Sequence, residues 1–251
     1  MLPRRSLLAL LALTLAVSHA PSVASAAAPP KVSAAIQKAV DNPARPKEQR
    51  DRDALRKPAE TLALTGLKAG DKVIELASFG QYYTQIMSDV VGPKGHIYMY
   101  DLAYLEKPFG EKSRAFAKAH PNTEFATVKY DEADYPKNVD LVAIVLYYHD
   151  LVPNKIDTAK LNAKLFAALK PGGRLLIVDH KAEDGSGWRD AGTIHRMGVD
   201  TIVKEVTAAG FKLKVNSDLL ANPQDDRSKM VFAAGERGHT DQAVFVFEKP
   251  R

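Results

Sequence analysis

Residues 72–101 read KVIELASFGQYYTQIMSDVVGPKGHIYMYD. Lys72 to Leu76 is a short β-rich run. Tyr83, Ile86, Met87, Val90 and Val91 fall at helical spacing. Gly92-Pro93-Lys94-Gly95 is turn chemistry. His96 to Tyr100 is a second strand-like run and ends at Asp101. Strand, helix and strand in this succession predict a βαβ unit, whose two strands lie parallel.

Outward from that unit the alternation continues. A helix is predicted at about Lys112 to Ala119, closed by Pro121-Asn122, and a third strand at Phe125 to Val128. Val139 to Leu146 is nearly continuous Val, Leu and Ile, the mark of a strand buried on both faces. Leu161, Leu165 and Leu169 mark the next helix. Pro171-Gly172-Gly173 stops it before a fifth strand, Arg174 to Val178. Asp200 is placed to cap a helix that turns Ile202, Val203 and Val206 inward and stops at Gly210. Phe211 to Val215 and Ala243 to Glu248 complete seven strands. The pattern predicts an α/β fold, a mostly parallel Rossmann-like sheet with helices on both faces. Asn216 to Thr240 is poor in helix signals, so the last strand is expected to run antiparallel.

Upstream, Arg4-Arg5, the apolar run Leu7 to Val17 and Ala24-Ser25-Ala26 have the three parts of a secretory signal. Residues 1–26 are therefore expected to be removed, and the protein to be periplasmic or secreted, with no integral membrane segment left. Residues 27–57 read as a helical N-terminal extension, with a helix-like stretch from Val32 to Val40. The dense charges of Lys47 to Arg56 read as a solvated face. Pro58 opens a helix to about Leu67, and 58–251 form the main domain.

The 251 residues contain no cysteine, which excludes disulfides, thiolate zinc sites and cysteine nucleophiles. The net charge is +5, and loss of Arg4 and Arg5 leaves +3 (5 − 2). A charge this small and evenly spread gives no footprint for nucleic acid. A small-molecule partner is expected, and the oligomeric state is left open.

Ligands of open α/β sheets bind beyond the carboxyl ends of the strands, where strand order reverses. The rule selects Glu75 to Tyr83, Asp101, Asp131 to Asp134, Tyr147 to Asp150 and Asp179-His180. On these residues the chain resembles the class I S-adenosylmethionine-dependent methyltransferases. Lys72 to Leu76 looks like their first strand with its terminal acid, and Asp101 looks like the acid that takes the ribose hydroxyls. Leu169 to Leu175 looks like their turn before strand five. Tyr82-Tyr83-Thr84, Tyr148-His149-Asp150 and Asp179-His180 resemble a group of exported, predicted methyltransferases. The resemblance covers roughly residues 59–248 and implies methyl transfer to a small molecule with S-adenosylmethionine as cofactor. It implies cofactor contacts at Glu75, Ala77, Phe79, Gly80, Tyr82, Asp101 and Asp131. His149 and His180 are its candidate catalytic bases, and Tyr148, Asp150, Trp188 and His195 its candidate substrate contacts.

The family's loop reads acidic-x-Gly-x-Gly-x-Gly. Here those glycine positions are Ala77, Phe79 and Gln81, with Gly80 between two of them. Either the Phe79 ring turns aside and the loop takes another path, or the pocket is closed. Two further readings follow from the residues: an exported, non-catalytic ligand-binding protein with a degenerate cofactor loop, and a metal-dependent enzyme using His149, Asp150, Asp179 and His180. The site assignment itself includes no metal ligand. A nicotinamide fingerprint is absent after the first strand.

Overall fold

The computed structural model describes residues 31–251. The signal read at 1–26 lies outside the described residues. Ser33 caps α1 (Ala34–Val40) by accepting the amide of Ile36. Three short helices follow, α2 (Lys47–Arg50), α3 (Asp53–Arg56) and α4 (Pro58–Ala63). Then come β1 (Lys72–Leu76), α5 (Tyr82–Val91), β2 (His96–Asp101), α6 (Ala103–Leu105), α7 (Glu111–Ala119) and β3 (Thr123–Thr127). The second half holds β4 (Val139–Val145), α8 (Thr158–Ala168), β5 (Leu169–His180), α9 (Ala191–Ile194), α10 (Val199–Ala208), β6 (Lys212–Ser217) and β7 (Gln242–Glu248).

All seven strands join one sheet in the order β3-β2-β1-β4-β5-β7-β6. β1 pairs in parallel with β2 and with β4, and β4 pairs in parallel with β5. β7 runs antiparallel to both of its neighbours, as expected for the last strand. Alternate residues of β4 feed opposite faces. Val142 and Ile144 enter one apolar cluster, Leu141 and Ala143 the other. Helices cover both faces because each strand of this kind buries two surfaces. Among the described residues no helix is long and apolar enough to cross a membrane.

Several boundaries differ from the sequence reading: α4 ends at Ala63 and not near Leu67, β3 and β6 shift by one or two residues, and two further differences have a clear local cause. Pro171-Gly172-Gly173 stops α8, but the chain is already extended from Leu169, so β5 begins before Arg174. Gly172 absorbs the irregularity with φ of +77°. Asp200 does not cap α10. Gly198 holds that position, and Asp200 lies in the first turn, where its charge favours the helix end.

The larger correction concerns Lys47 to Arg56, read from sequence as a solvated face. Arg45 is buried, grips Asp53 through two hydrogen bonds of 2.7 and 2.8 Å, and donates to the carbonyl of Val40. Tyr82 donates its hydroxyl to Asp53 at 2.6 Å. The Arg52 and Arg56 guanidiniums stand 5.0 and 4.7 Å from the Tyr82 ring centre. Gln49 is buried and donates to the Gly80 carbonyl at 2.9 Å. Lys47, Glu48, Arg50 and Asp51 stay exposed, as read, whereas Arg52, Asp53 and Arg56 turn to α5 and Gln49 to the loop after β1, partners about thirty residues away in sequence that local patterning could not reveal.

Removing one member of a buried ion pair leaves its partner uncompensated. Arg45→Met is therefore expected to destabilise the protein by about 3 kcal/mol in urea unfolding at neutral pH. A loss within experimental error would show that the extension merely lies on the domain.

Candidate functional site

A cavity of about 570 Å³ opens beyond the carboxyl ends of β1 and β4. Glu75, Leu76 and the loop from Ala77 to Gly80 form its floor, and Val145, Leu146, His149 and Asp150 form one wall. His180 closes the β5 side. Arg52, Arg56 and Tyr82 come from the N-terminal side, Phe232 and Arg237 from the long loop before β7. Sheet order reverses between β1 and β4, so the cavity lies at the switch point.

The loop keeps tight turns without glycine at its expected places. Ala77, Gly80 and Gln81 have φ of +59°, +81° and +49°, a conformation that costs residues with a Cβ about 1–2 kcal/mol. Fixed contacts hold it there. The Ala77 amide donates to the Tyr100 carbonyl and the Tyr130 hydroxyl, both at 2.9 Å. The Gln81 side chain donates to Ser113 at 2.9 Å. The Phe79 ring stacks on Phe109 at 5.1 Å and meets Tyr147 edge-on at 6.0 Å. The ring thus joins the cavity wall, and the cavity is open.

Three buried acids end the strands. Burial pushes the Glu75 carboxyl up to about 8, although Thr84 donates to it at 2.5 Å. Asp101 is fully buried and does not reach the cavity surface. It accepts from the Ser78 hydroxyl at 3.1 Å and from the amides of Ser78 and Phe79. Its Oδ2 has no partner, and burial raises the group to about 6. Asp131 is buried away from the cavity; its Oδ1 accepts no hydrogen bond and has the Lys129 ammonium 3.9 Å away. Glu75 faces the cavity and offers S-adenosylmethionine a polar edge. The orphaned Asp101 Oδ2 lies sealed beneath the loop, and the amides of Ala77, Ser78, Phe79 and Gln81 are already bonded within the protein, so the loop meets a ligand by its surface, with Phe79 its bulky group.

The fourth and fifth strand ends also meet. Asp179 is fully buried and accepts the amides of His149 and His180 at 2.7 and 2.8 Å. It also contacts His149 Nδ1 at 2.6 Å. This bond keeps the proton on Nδ1 and turns the Nε2 electron pair outward. Burial opposes the charge on His149, but the carboxylates of Asp179 and Asp150 overcome it and raise the imidazole above its ordinary value. His180 meets Thr240 at 2.8 Å, and burial drives it down to about 3. It is neutral at physiological pH.

Of the four candidate substrate contacts, only Asp150 lines the cavity. His195 stands behind it, with Nδ1 3.0 Å from Asp150 Oδ1. Tyr148 is buried, donating to Glu205 at 3.0 Å and accepting from Asn162 at 2.8 Å. Trp188 donates to the same Glu205 at 2.8 Å and stacks on Tyr148. Both aromatics anchor the loop after β5 instead of facing a ligand. The sequence reading missed Arg52, Arg56 and Arg237. None makes an ion pair among the described residues, yet all three line the cavity. Burial, then repulsion from Arg56 and Arg237, holds the Arg52 guanidinium below its ordinary value. Residues 47–56 hold four bases and three acids, a near balance that gave no sign of which arginines would reach a cavity.

Glu75 generates a pH prediction. Its folded-state pKa lies above its unfolded value, so the folded protein holds the extra proton and stability falls as pH rises from about 4.5 to about 8. Glu75→Gln should flatten that part of the profile, by on the order of a few kcal/mol between the two ends. Urea unfolding of both proteins at pH 5 and pH 8 measures it. Parallel profiles would rule out a protonated Glu75.

No family model matches the chain. The ubiquinone/menaquinone biosynthesis C-methyltransferase UbiE of Francisella philomiragia is 28% identical over 121 residues, which is 48% of this chain and 47% of that protein. The Pseudomonas fluorescens UbiE is also 28% identical, over 119 residues. The chain spans about half the length of the curated relatives it matches. Among solved structures, a SAM-dependent methyltransferase from Aquifex aeolicus superposes with a TM-score of 0.57 at 20% identity, covering 84% of this chain and 96% of that one. The Aeropyrum pernix fibrillarin, solved with natively bound S-adenosyl-L-methionine, gives 0.52 at 18% identity, covering 78% and 76%. At these identities the structural likeness establishes the fold. The chain shares the seven-stranded, Rossmann-like architecture of the class I S-adenosylmethionine-dependent methyltransferases.

Proposed function

We propose that this protein transfers a methyl group from S-adenosylmethionine to a small anionic molecule. The observation that carries the reading is the open cavity at the switch point, with Glu75 and the left-handed loop on its floor and an unpartnered Asp101 oxygen beneath it. Glu75 and the surface of the 77–81 loop would hold the cofactor, with Asp101 bracing that loop from beneath; the cofactor supplies an electrophilic methyl on a sulfonium centre. Methyl transfer then asks the protein for alignment and, where the nucleophile carries a proton, for a base. His149 is that base. Asp179 fixes its ring and its tautomer, and Nε2 is the proton-accepting atom. His180, neutral and hydrogen-bonded to Thr240, shapes the wall beside it. Arg52, Arg56 and Arg237 would bind a carboxylate or phosphate on the acceptor. In this proposal the export signal read at 1–26 puts the chemistry in the periplasm or outside the cell.

Calorimetry on the untagged protein tests the cofactor step. Saturable heat on addition of S-adenosylmethionine is the expected result, and none at millimolar concentration overturns the reading. Phe79→Gly should tighten that binding about tenfold or more, by removing the bulky ring while leaving the turns in place. A weaker or unchanged affinity would show that Phe79 lies outside the cofactor's path.

A further inference from the structure

We propose that His149, Asp150 and His195 bind a divalent first-row transition-metal ion in the cavity wall. The site goes beyond the methyltransferase reading and does not rest on it. Each residue offers one ligand atom, and these atoms lie within 4.8 Å of one another. Asp150 stands between the two imidazoles, with Oδ2 3.6 Å from His149 Nε2 and Oδ1 3.0 Å from His195 Nδ1. Metal–nitrogen and metal–oxygen bonds near 2.1 Å place cis ligands about 3 Å apart, so the donors need little movement. Two histidines and one carboxylate suit iron, zinc and their neighbours and leave coordination positions open.

The support behind the donors is as specific as the donors themselves. Asp179 contacts His149 Nδ1 at 2.6 Å and is itself fixed by two amides, so Nε2 presents its electron pair. A carboxylate behind a ligating imidazole is a recurrent second layer of metal sites, and its loss lowers affinity about 10–100-fold. His195 has φ of +56°, a strained backbone that brings its ring across to Asp150 from the loop after β5. The metal-dependent alternative read from sequence named Asp179 and His180 as ligands. Asp179 instead stands behind His149, His180 turns to Thr240, and His195 supplies the third ligand.

His149 and Asp150 line the cavity, so the open positions of the ion face its ligand. The class of ligand is an oxygen donor, a hydroxyl or carboxylate of the small molecule. With the ion bound, Nε2 would no longer accept a proton; the ion would instead acidify a ligated hydroxyl, whose proton would pass to solvent in the open cavity.

The test uses untagged full-length protein, stripped with chelator and titrated with Co²⁺ and Zn²⁺ by calorimetry, with Co²⁺ absorption as a second readout. One equivalent and a d–d spectrum are expected. His195→Ala and Asp150→Asn should each lower affinity at least a hundredfold while circular dichroism stays native. His195 is partly exposed, so its replacement spares the core. No saturable binding, or binding that both variants retain, overturns the site. S-adenosylmethionine binding is measured separately on the stripped protein. Loss of one kind of binding with retention of the other tells which proposal has failed.

Discussion

Parallel pairing of β1 with β4 is the constraint on which the rest depends. From β1 the chain crosses toward β2 and β3, and from β4 it crosses the other way toward β5. No crossover covers the ends of the central pair, so the architecture leaves a crevice there. Buried carboxylates at those ends then meet different fates. Asp179 is fully satisfied, with the amides of His149 and His180 and the His149 ring around it. Glu75 has one hydroxyl partner and yields its charge to burial. Asp101 is half satisfied, one oxygen bonded to the loop and the other with nothing. Only the incompletely satisfied acids invite a ligand, since an occupied carboxylate has no capacity left to offer.

The N-terminal extension belongs to the site as much as the sheet does. Arg45, Asp53 and Tyr82 form one connected network between α1, α3 and α5, and Gln49 pins the loop at Gly80. The loop's left-handed turns are strained, and strain persists only where surroundings over-determine it. The same segment carries Arg52 and Arg56 to the cavity, where Arg237 joins them from a loop far along the chain. Three cations held close, none with an ion-pair partner among the described residues, repel one another. Tyr82 relieves part of that through its ring face, which Arg52 and Arg56 share. A bound anion would relieve the remainder.

The strand pattern was legible because two-sided burial leaves near-continuous apolar runs, as in Val139 to Val145. The antiparallel last strand was legible from the helix-poor stretch before it. Glu75, His149, Asp150 and His180 were legible as cavity-lining residues because strand ends at a switch point are where cavities form. Tyr148 and Trp188 misled because an aromatic next to a strand end reads alike whether it faces a ligand or Glu205. Arg52, Arg56 and Arg237 were hidden for a different reason. Their place at the cavity comes from contacts set by tertiary packing, and charge patterning reports only neighbours along the chain.

The glycine loop separates two things that a motif joins. Glycine at such a loop serves the backbone where φ is positive and serves the ligand where space is needed. Ala77 and Gln81 occupy left-handed positions, and their bonds to Tyr100, Tyr130 and Ser113 replace what glycine gives at no cost. Phe79 is not among the residues with positive φ, so its backbone is ordinary and a side chain there is unstrained. Its ring changes the space above the loop and leaves the path alone. The loop is therefore intact as a scaffold and altered as a surface. Phe79, with Phe109 and Tyr147 beside it, narrows what the cavity admits without dismantling the architecture that forms it.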